Sequence, residues 1–367
     1  MFTSTATGAL VTGDQTTMSA GKRVTTELEA SNGSTLTNPN PAGAAAATYT
    51  YDGAGRLTTA YLPGAAATYG YDVNPADANC ADPDMGVNTN RTSITITPTN
   101  GTAVTTGYCY NSADQLVHTT VGATTDTGYA YDTHGNQTKD HGTTLTWDAA
   151  NRLATATPAS ATTTAYSYDA LDRVVSHTAG STATGYAYNG YNDSAVAALD
   201  GTGNVVQQFV PLPGGVIATI QTSGILWSYP DLHGNITVAT DNTGAPLNDP
   251  IAYDPWGQAL SGSATLTNAA GGNILGAFGK DSKLTDTATD ITILGARAYE
   301  AAEGRFLSVD PLENGCANNY VYVFGDPFSK SDLTGRFSCT ANLSSRGRTG
   351  TAILLVPTLA RLVACGG

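Results

Sequence analysis

Apolar and polar positions alternate with a period of two along most of this chain, in short stretches bounded by Asp, Asn and Gly. In Tyr166-Ser167-Tyr168-Asp169 the two rings fall on one face of an extended strand, and the acid ends it. Asp and Asn favour turns because their side chains bond the backbone a few residues on. Runs of strong helix formers at helical spacing are scarce, so the pattern predicts an all-β chain of short strands and tight turns.

The alternation repeats as a unit of an aromatic-acid pair, turn residues and a return strand. Pairs occur at Tyr51-Asp52, Tyr71-Asp72, Tyr110-Asn111, Tyr131-Asp132, Trp147-Asp148, Tyr168-Asp169, Tyr188-Asn189 and Tyr253-Asp254. From Tyr51 to Tyr188 the steps are 20, 39, 21, 16, 21 and 20 residues, one unit of about 20 with a single step of nearly double length. Arg56, Arg152 and Arg173 each follow their Asp by four residues, close enough for the pair to face across the turn. Each unit is therefore read as a β-hairpin. One hairpin cannot bury its aromatic face, whereas hairpins stacked side by side into a long antiparallel sheet can. A generic β-sandwich with accidental Tyr-Asp pairs is the competing fold.

Composition sharpens this picture. Charged residues make up 13%, with 41 Gly and 19 Tyr, which suits strands and turns better than an ordinary enzyme. The net charge of −14 argues against a nucleic-acid partner, since phosphate binding needs a basic face. Residues 337–367 carry Arg346, Arg348 and Arg361 and no acid, so a basic tail follows an acidic body. No membrane span is expected: the most apolar run, Thr351 to Cys365, is short and is broken by Pro357 and Arg361. Met1 to Leu28 shows no signal-peptide pattern.

The unit Y-D-x-x-G-R-L at this period resembles the YD repeat of RHS proteins, teneurins and toxin-complex C components. From about residue 225 the chain resembles the RHS-associated core. The matching segments are YPDLHGNITVATDNTGA (229–245), AYDPWGQAL (252–260), LGARAYEAAEGRFLSVDPLENG (294–315) and NNYVYVFGDPFSKSDLTG (318–335), in the family's order. The resemblance implies YD hairpins over 1–190, the core with a self-cleavage motif over 191–336, and a variable tail over 337–367. The implied fold is a curved or spiralling antiparallel sheet forming part of a shell.

The chemistry that the resemblance implies is intramolecular aspartic-type peptide cleavage. Asp310 and Asp332 are 22 apart and Arg297 precedes Asp310 by 13, matching the family's spacing. Two carboxylates held close share a proton, so that one serves as acid while the other activates water. A guanidinium beside them polarises or orients. Glu313 and Leu333 stand where the family's two D-P-x-G motifs have Gly and Pro. The implied scissile bond is Arg336–Phe337, and the competing reading has both Asp residues capping turns.

Elsewhere, Cys80 and Cys109 bracket the long repeat unit and make a plausible disulfide. His134 and His141, beside Asp132 and Asp140, are read as turn residues, as are Asp77, Asp82 and Asp84, so no metal and no cofactor is expected. Two functions compete. The first is the C-terminal shell fragment of a secreted RHS-type polymorphic toxin, its partners being its own tail and an N-terminal shell chain. The second is a cell-surface carbohydrate-binding or adhesion module, favoured if rings such as Trp147 and Trp227 are exposed. About 20 strands at 4.8 Å span roughly 95 Å, short of the ~145 Å needed to wrap a folded cargo of about 130 residues.

Overall fold

The computed structural model describes residues 10–19, 22–30, 46–62, 65–71, 84–98, 101–231, 233–260, 273–312 and 318–336, with Cys80, Leu266 and Ala269. Three open antiparallel sheets account for the strands. A nine-stranded sheet runs from Leu10–Ser19 to Thr124–Asp126, and a twelve-stranded sheet from Ala130–Tyr131 to Ile236–Thr240. In both, every strand pairs with its neighbour in sequence, as stacked hairpins require. A small five-stranded sheet, Asn273–Ile274 to Arg305–Phe306, follows. Among the described residues the only helical pieces are single 3₁₀ turns. The twelve-stranded sheet runs through residue 190 unbroken, with Gly185 paired to Leu199.

One turn recurs, and its atoms explain the repeat. At Asp52 the backbone N–H bonds the Arg56 carbonyl at 2.9 Å, while Oδ1 accepts the N–H groups of Ala54 and Arg56, both at 2.9 Å. The same i to i+4 closure appears at Asn111, Asp132, Asp148, Asp169, Asp200, Asp231, Asp241 and Asp254. Three residues after the acid the backbone turns left-handed: Gly55, Gly135 and Gly203 have φ of 82°, 82° and 88°, and Asp114, Asn151 and Asp172 have 60°, 59° and 61°. Gly adopts that conformation freely, and Asn and Asp tolerate it better than other side chains. Hence the motif needs an acid or amide first and Gly, Asn or Asp fourth.

Arginine links each hairpin to the next. Arg152 pairs with Asp148 at 2.7 Å and its guanidinium lies 4.8 Å from the centre of the Tyr168 ring. Arg173 repeats this with Asp169 at 2.6 Å and Tyr188 at 4.6 Å, and Arg56 with Asp52 and Tyr71. The tyrosine hydroxyls then reach back: Tyr168 donates to the Leu153 carbonyl and Tyr188 to the Val174 carbonyl, at 2.9 and 2.7 Å. One unit thus buries its ring against the previous unit's arginine, a nearest-neighbour stacking that fixes the period.

The double-length step from Tyr71 to Tyr110 holds the same two strands as an ordinary unit, Ser93–Pro98 and Val104–Tyr110, and its extra length lies in the segment before Ser93. The structure joins Cys80 to Cys109 by a disulfide there, with Cα atoms 5.5 Å apart. Rings of the first sheet (Tyr49, Tyr51, Tyr69, Tyr108, Tyr110) pack in one core with Trp256, Tyr299, Phe306 and Tyr322. The described residues between 251 and 336 therefore dock on the buried faces of the long sheets. Specific bonds fix the docking: Gln137 N–H donates to the Leu307 carbonyl at 2.8 Å, Tyr320 hydroxyl to Gly135 at 2.7 Å, and Tyr108 hydroxyl to Ala302 at 2.8 Å. Trp147 and Trp227 are half-buried, and the indole N–H of Trp147 donates to the Gln137 carbonyl. The Trp147 ring packs against the Leu145 and Leu153 cluster, so it does not form an exposed aromatic face, whereas Trp227 alternates with the buried Ser228 along its strand.

Candidate functional site

The structure brings Arg297, Asp310 and Asp332 together. Arg297 opens the strand Arg297–Glu300, which pairs with Ile291–Leu294 across a tight turn. Asp310 follows the Arg305–Phe306 strand and is held by its N–H on the Asn319 carbonyl at 3.1 Å. Asp332 lies at the end of the docked segment, where its N–H meets the Tyr322 hydroxyl at 3.4 Å.

A single guanidinium nitrogen serves both acids. Arg297 Nη2 is 2.8 Å from Asp310 Oδ2 and 3.1 Å from Asp332 Oδ2, which holds the two carboxylates as one group. The three side chains are 2%, 6% and 2% exposed, so the triad is largely withdrawn from solvent. The remaining donors of Arg297 are used as well: Nε donates to the Gly335 carbonyl at 2.7 Å and Nη1 to the Asn319 carbonyl at 3.2 Å. Its flat face lies 3.5 Å from the centre of the Phe306 ring. Burial pulls the Arg297 guanidinium below its ordinary value, opposed by the two acids. Burial pushes the Asp310 carboxyl up, and Arg297 only partly offsets this.

The chain after Asp332 is drawn tightly over the triad. Asp332 Oδ1 accepts the Arg336 N–H at 3.1 Å, and the Ala296 N–H bonds the Thr334 carbonyl at 3.0 Å. Gly335 has φ of 63°, and a Cβ there would strike the Leu294 carbonyl oxygen and lie 2.9 Å from Arg297 N. Glycine is thus required by backbone angle and by space. Arg336 pairs with Asp172 on a repeat turn. The carbonyl preceding Arg336 is therefore gripped by Arg297, and the residue itself is anchored on both sides. Phe337, Glu313 and residues 337–367 lie outside the described residues, as do Asp77 and Asp82.

Sequence reasoning did not find Phe306, Asn319, Tyr322 or Asp172 as parts of this arrangement. The G-R-F and N-x-Y-x-Y motifs contained the first three, but nothing local shows that they meet Arg297 or Asp332. Of the histidines, His134 sits on the Asp132 turn with its N–H on Asp132 Oδ1, while His141 faces Asp126, Asp140 and Glu303. No helix among the described residues is long and apolar enough to cross a membrane.

Comparison with known proteins gives this geometry a family. The chain is 26% identical over 256 residues to the tRNA nuclease WapA of Bacillus subtilis strain 168, covering 68% of this chain and 10% of that protein. It is 25% identical over 256 residues to the tRNA3(Ser)-specific nuclease WapA of Bacillus spizizenii, with the same coverage. The chain thus spans about a tenth of the length of these relatives. The crystal structure of TcdB2-TccC3-Cdc42 superposes with a TM-score of 0.58 at 19% identity, over 85% of this chain and 16% of that one. The structure of TcdB2-TccC3 superposes equally well, at 0.58 and 18%, over 84% and 17%. These likenesses place the fold among RHS shells. The sequence profile of the Teneurin YD-shell matches residues 46–319, and by that match, which spans most of the repeats and the docked core, the chain belongs to the Teneurin YD-shell family.

Proposed function

We propose that this chain is the closing end of an RHS-type toxin shell and that Arg297, Asp310 and Asp332 cut it after Arg336. The observation that carries the reading is the shared guanidinium. It holds both carboxylates and the Gly335 carbonyl at once, at 2.8, 3.1 and 2.7 Å. Turn capping does not account for this, because two independent caps have no need of a common buried arginine.

In the proposed reaction a water adds to the Arg336 carbonyl carbon. Asp332 takes the water's proton as its oxygen bonds to carbon, and the buried Asp310, whose carboxyl is pushed up, donates its own proton to the Phe337 nitrogen as the C–N bond breaks. The products are a carboxylic acid at Arg336 and an amine at Phe337, which ionise to carboxylate and ammonium as the acid's proton passes to the amine, and the dyad's one proton ends on Asp332 in place of Asp310. Arg297 keeps the scissile segment in place through Gly335.

The nine- and twelve-stranded sheets at about 4.8 Å per strand span roughly 100 Å, too short to surround a folded cargo unaided. A partner shell chain, or further shell sequence, would complete the enclosure, and the segment beyond Arg336 would be what is released within it. The WapA relatives are nucleases by name, but the tail's own activity is a separate question. Extracellular export accords with the disulfide between Cys80 and Cys109.

Intact-mass measurement of the purified chain tests the reading. Wild type should yield a body ending at Arg336 and a basic peptide of residues 337–367, and Asp310→Asn should stay whole. Wild type and Asp310→Asn remaining equally intact after long incubation would reduce the triad to an end-plug.

A further inference from the structure

Away from the triad, the turn between strands Gln137–Asp140 and Thr143–Trp147 meets the turn that precedes Arg305–Phe306. Asp140 and Glu303 are 4% and 1% exposed. Asp140 Oδ1 and both Glu303 carboxylate oxygens lack a hydrogen bond of good geometry, although the two carboxyls and the Gln137 side chain lie near one another. A buried acceptor-only group without a donor is costly, and a buried charge is kept when it is paired or binds a metal. Arg305 lies close enough to influence Glu303, but its Nη2 is spent on the Asp114 carbonyl.

His141 completes the set. Its Nε2 is 3.9 Å from Asp140 Oδ1 and 4.0 Å from Glu303 Oε1, and the three ligand atoms lie within 4.8 Å of one another. Its other nitrogen, Nδ1, donates to Asp126 Oδ2 at 2.9 Å, and Asp126 is itself fixed by the Gly128 N–H at 2.7 Å. With the proton on Nδ1, Nε2 is free of a proton and accepts from the Tyr129 hydroxyl at 2.8 Å while lying beside the two carboxylates. A carboxylate behind a ligating histidine is the usual arrangement at metal centres. A cation bound at Nε2 would displace the Tyr129 hydroxyl from it.

We propose that Asp140, His141 and Glu303 bind a divalent transition-metal ion, zinc foremost, with Asp126 orienting the imidazole. One imidazole with two carboxylates suits zinc-class ions better than magnesium. Tetrahedral zinc with bonds near 2.0 Å sets its ligand atoms about 3.3 Å apart, so the two carboxylate oxygens approach Nε2 by roughly 0.6–0.7 Å, within side-chain reach. His141 and Glu303 also line a cavity of about 330 Å³, with Tyr108, Thr119 and Leu260, from which water would complete the shell. The ion would tie three pieces of the fold at one point. Asp126 ends the first sheet, Asp140 and His141 belong to the second, and Glu303 comes from the docked core. Two carboxyls facing each other in the interior could instead share a proton, and the two cases differ in measurable ways.

The test uses the full chain, stripped with a chelator, dialysed and titrated with zinc against a chromophoric competitor, with melting followed by tyrosine and tryptophan fluorescence. One equivalent of zinc should bind and raise the melting temperature. His141→Ala, at a half-exposed residue where folding is not at stake, and Glu303→Gln should each weaken binding at least tenfold. Asp126→Asn should weaken it on the order of tenfold, as expected for a residue that only orients a ligand. Asp200→Asn, on a distant turn, should leave it unchanged. Absence of stoichiometric zinc binding by the wild type, or binding unaffected by both ligand variants, overturns the proposal. Glu303→Gln that stabilises the stripped chain while zinc has no effect on wild type identifies the pair as proton-sharing.

Discussion

Removing Asp169 tests whether the repeat turn owes its stability to the acid or merely tolerates it. Asp169 Oδ1 accepts the N–H groups of Leu171 and Arg173 at 2.9 and 3.0 Å, and Oδ2 binds Arg173 Nε and Nη2 at 2.8 and 2.6 Å. Bonds to a charged group contribute about 1.5–3 kcal/mol each where they are well buried. This carboxylate is 24% exposed and the turn N–H groups can be rehydrated, so solvent discounts the total. Asp169→Ala should cost about 2–3 kcal/mol. Asp169→Asn keeps the Oδ1 acceptor and loses the ion pair, so it should cost about 1 kcal/mol. Arg173 also donates to the Gly190 and Asn192 carbonyls at 2.7 and 3.1 Å, so amide exchange should quicken at the next turn as well as at residues 169–173. Burial raises the Asp169 carboxyl, but the Arg173 bonds and turn N–H groups outweigh it and hold it below the usual carboxylate range. With the folded value depressed, the stabilisation is present above the unfolded value near 4 and fades as pH falls through the folded one. Denaturant unfolding at pH 7 and at pH 3 measures both effects. An alanine variant within about 0.5 kcal/mol of wild type, or an asparagine variant as damaged as alanine, would refute the account.

Three further outcomes follow from other contacts. Serine at both Cys80 and Cys109 should lower stability by about 3–4 kcal/mol under oxidising conditions, from the entropy of a loop with sequence separation 29; thiol reagent should produce the same loss in wild type and none in the variant. Gly335→Ala should stop release of residues 337–367 as completely as Asp310→Asn, because a Cβ would push the chain off the Leu294 carbonyl and Arg297; intact mass reads this directly. Burial and the neighbouring Glu300 push the Glu303 carboxyl up to about 7, against Arg305. Its folded value exceeds the unfolded one near 4.5, so in chelator its contribution is complete below 4.5 and is lost as pH rises through 7, by up to about 3 kcal/mol. Glu303→Gln should flatten that fall between pH 5 and 8, and an unchanged slope would count against it.

The strands were legible because the information for a YD hairpin is local. Asp148 and Asn151, or Asp52 and Gly55, specify the turn within four residues, and the ring two strands on completes it. The same code operates at Asp200, Asp231 and Asp241 without a Tyr or Trp immediately before the acid, and the fourth-residue rule identifies those turns where the aromatic pattern does not. Arg297, Asp310 and Asp332 were legible only through family spacing. Their meeting depends on how 251–336 docks, which no local pattern encodes. Glu303 shows the limit most clearly. It lies 162 residues from His141, and its sequence neighbourhood reads as an ordinary turn. Only docking of that turn against the Asp140 hairpin leaves its carboxylate buried without a hydrogen bond of good geometry.

The same dependence on docking bears on when the triad could act. Asp332 is placed by Tyr322 and Arg297, Arg297 by Phe306 and Asn319, and Arg336 by Asp172 on the twelve-stranded sheet. None of these contacts is local except that between Asp332 and Arg336. An unfolded or half-docked chain would hold the carboxylates apart, each in water and ionised at neutral pH, with no acid to protonate the leaving amine. Burial in the docked state pushes Asp310 up, the direction the proposed acid needs. Cleavage by this triad would therefore be conditional on a completed fold, because one event both assembles the residues and alters the chemistry of one of them.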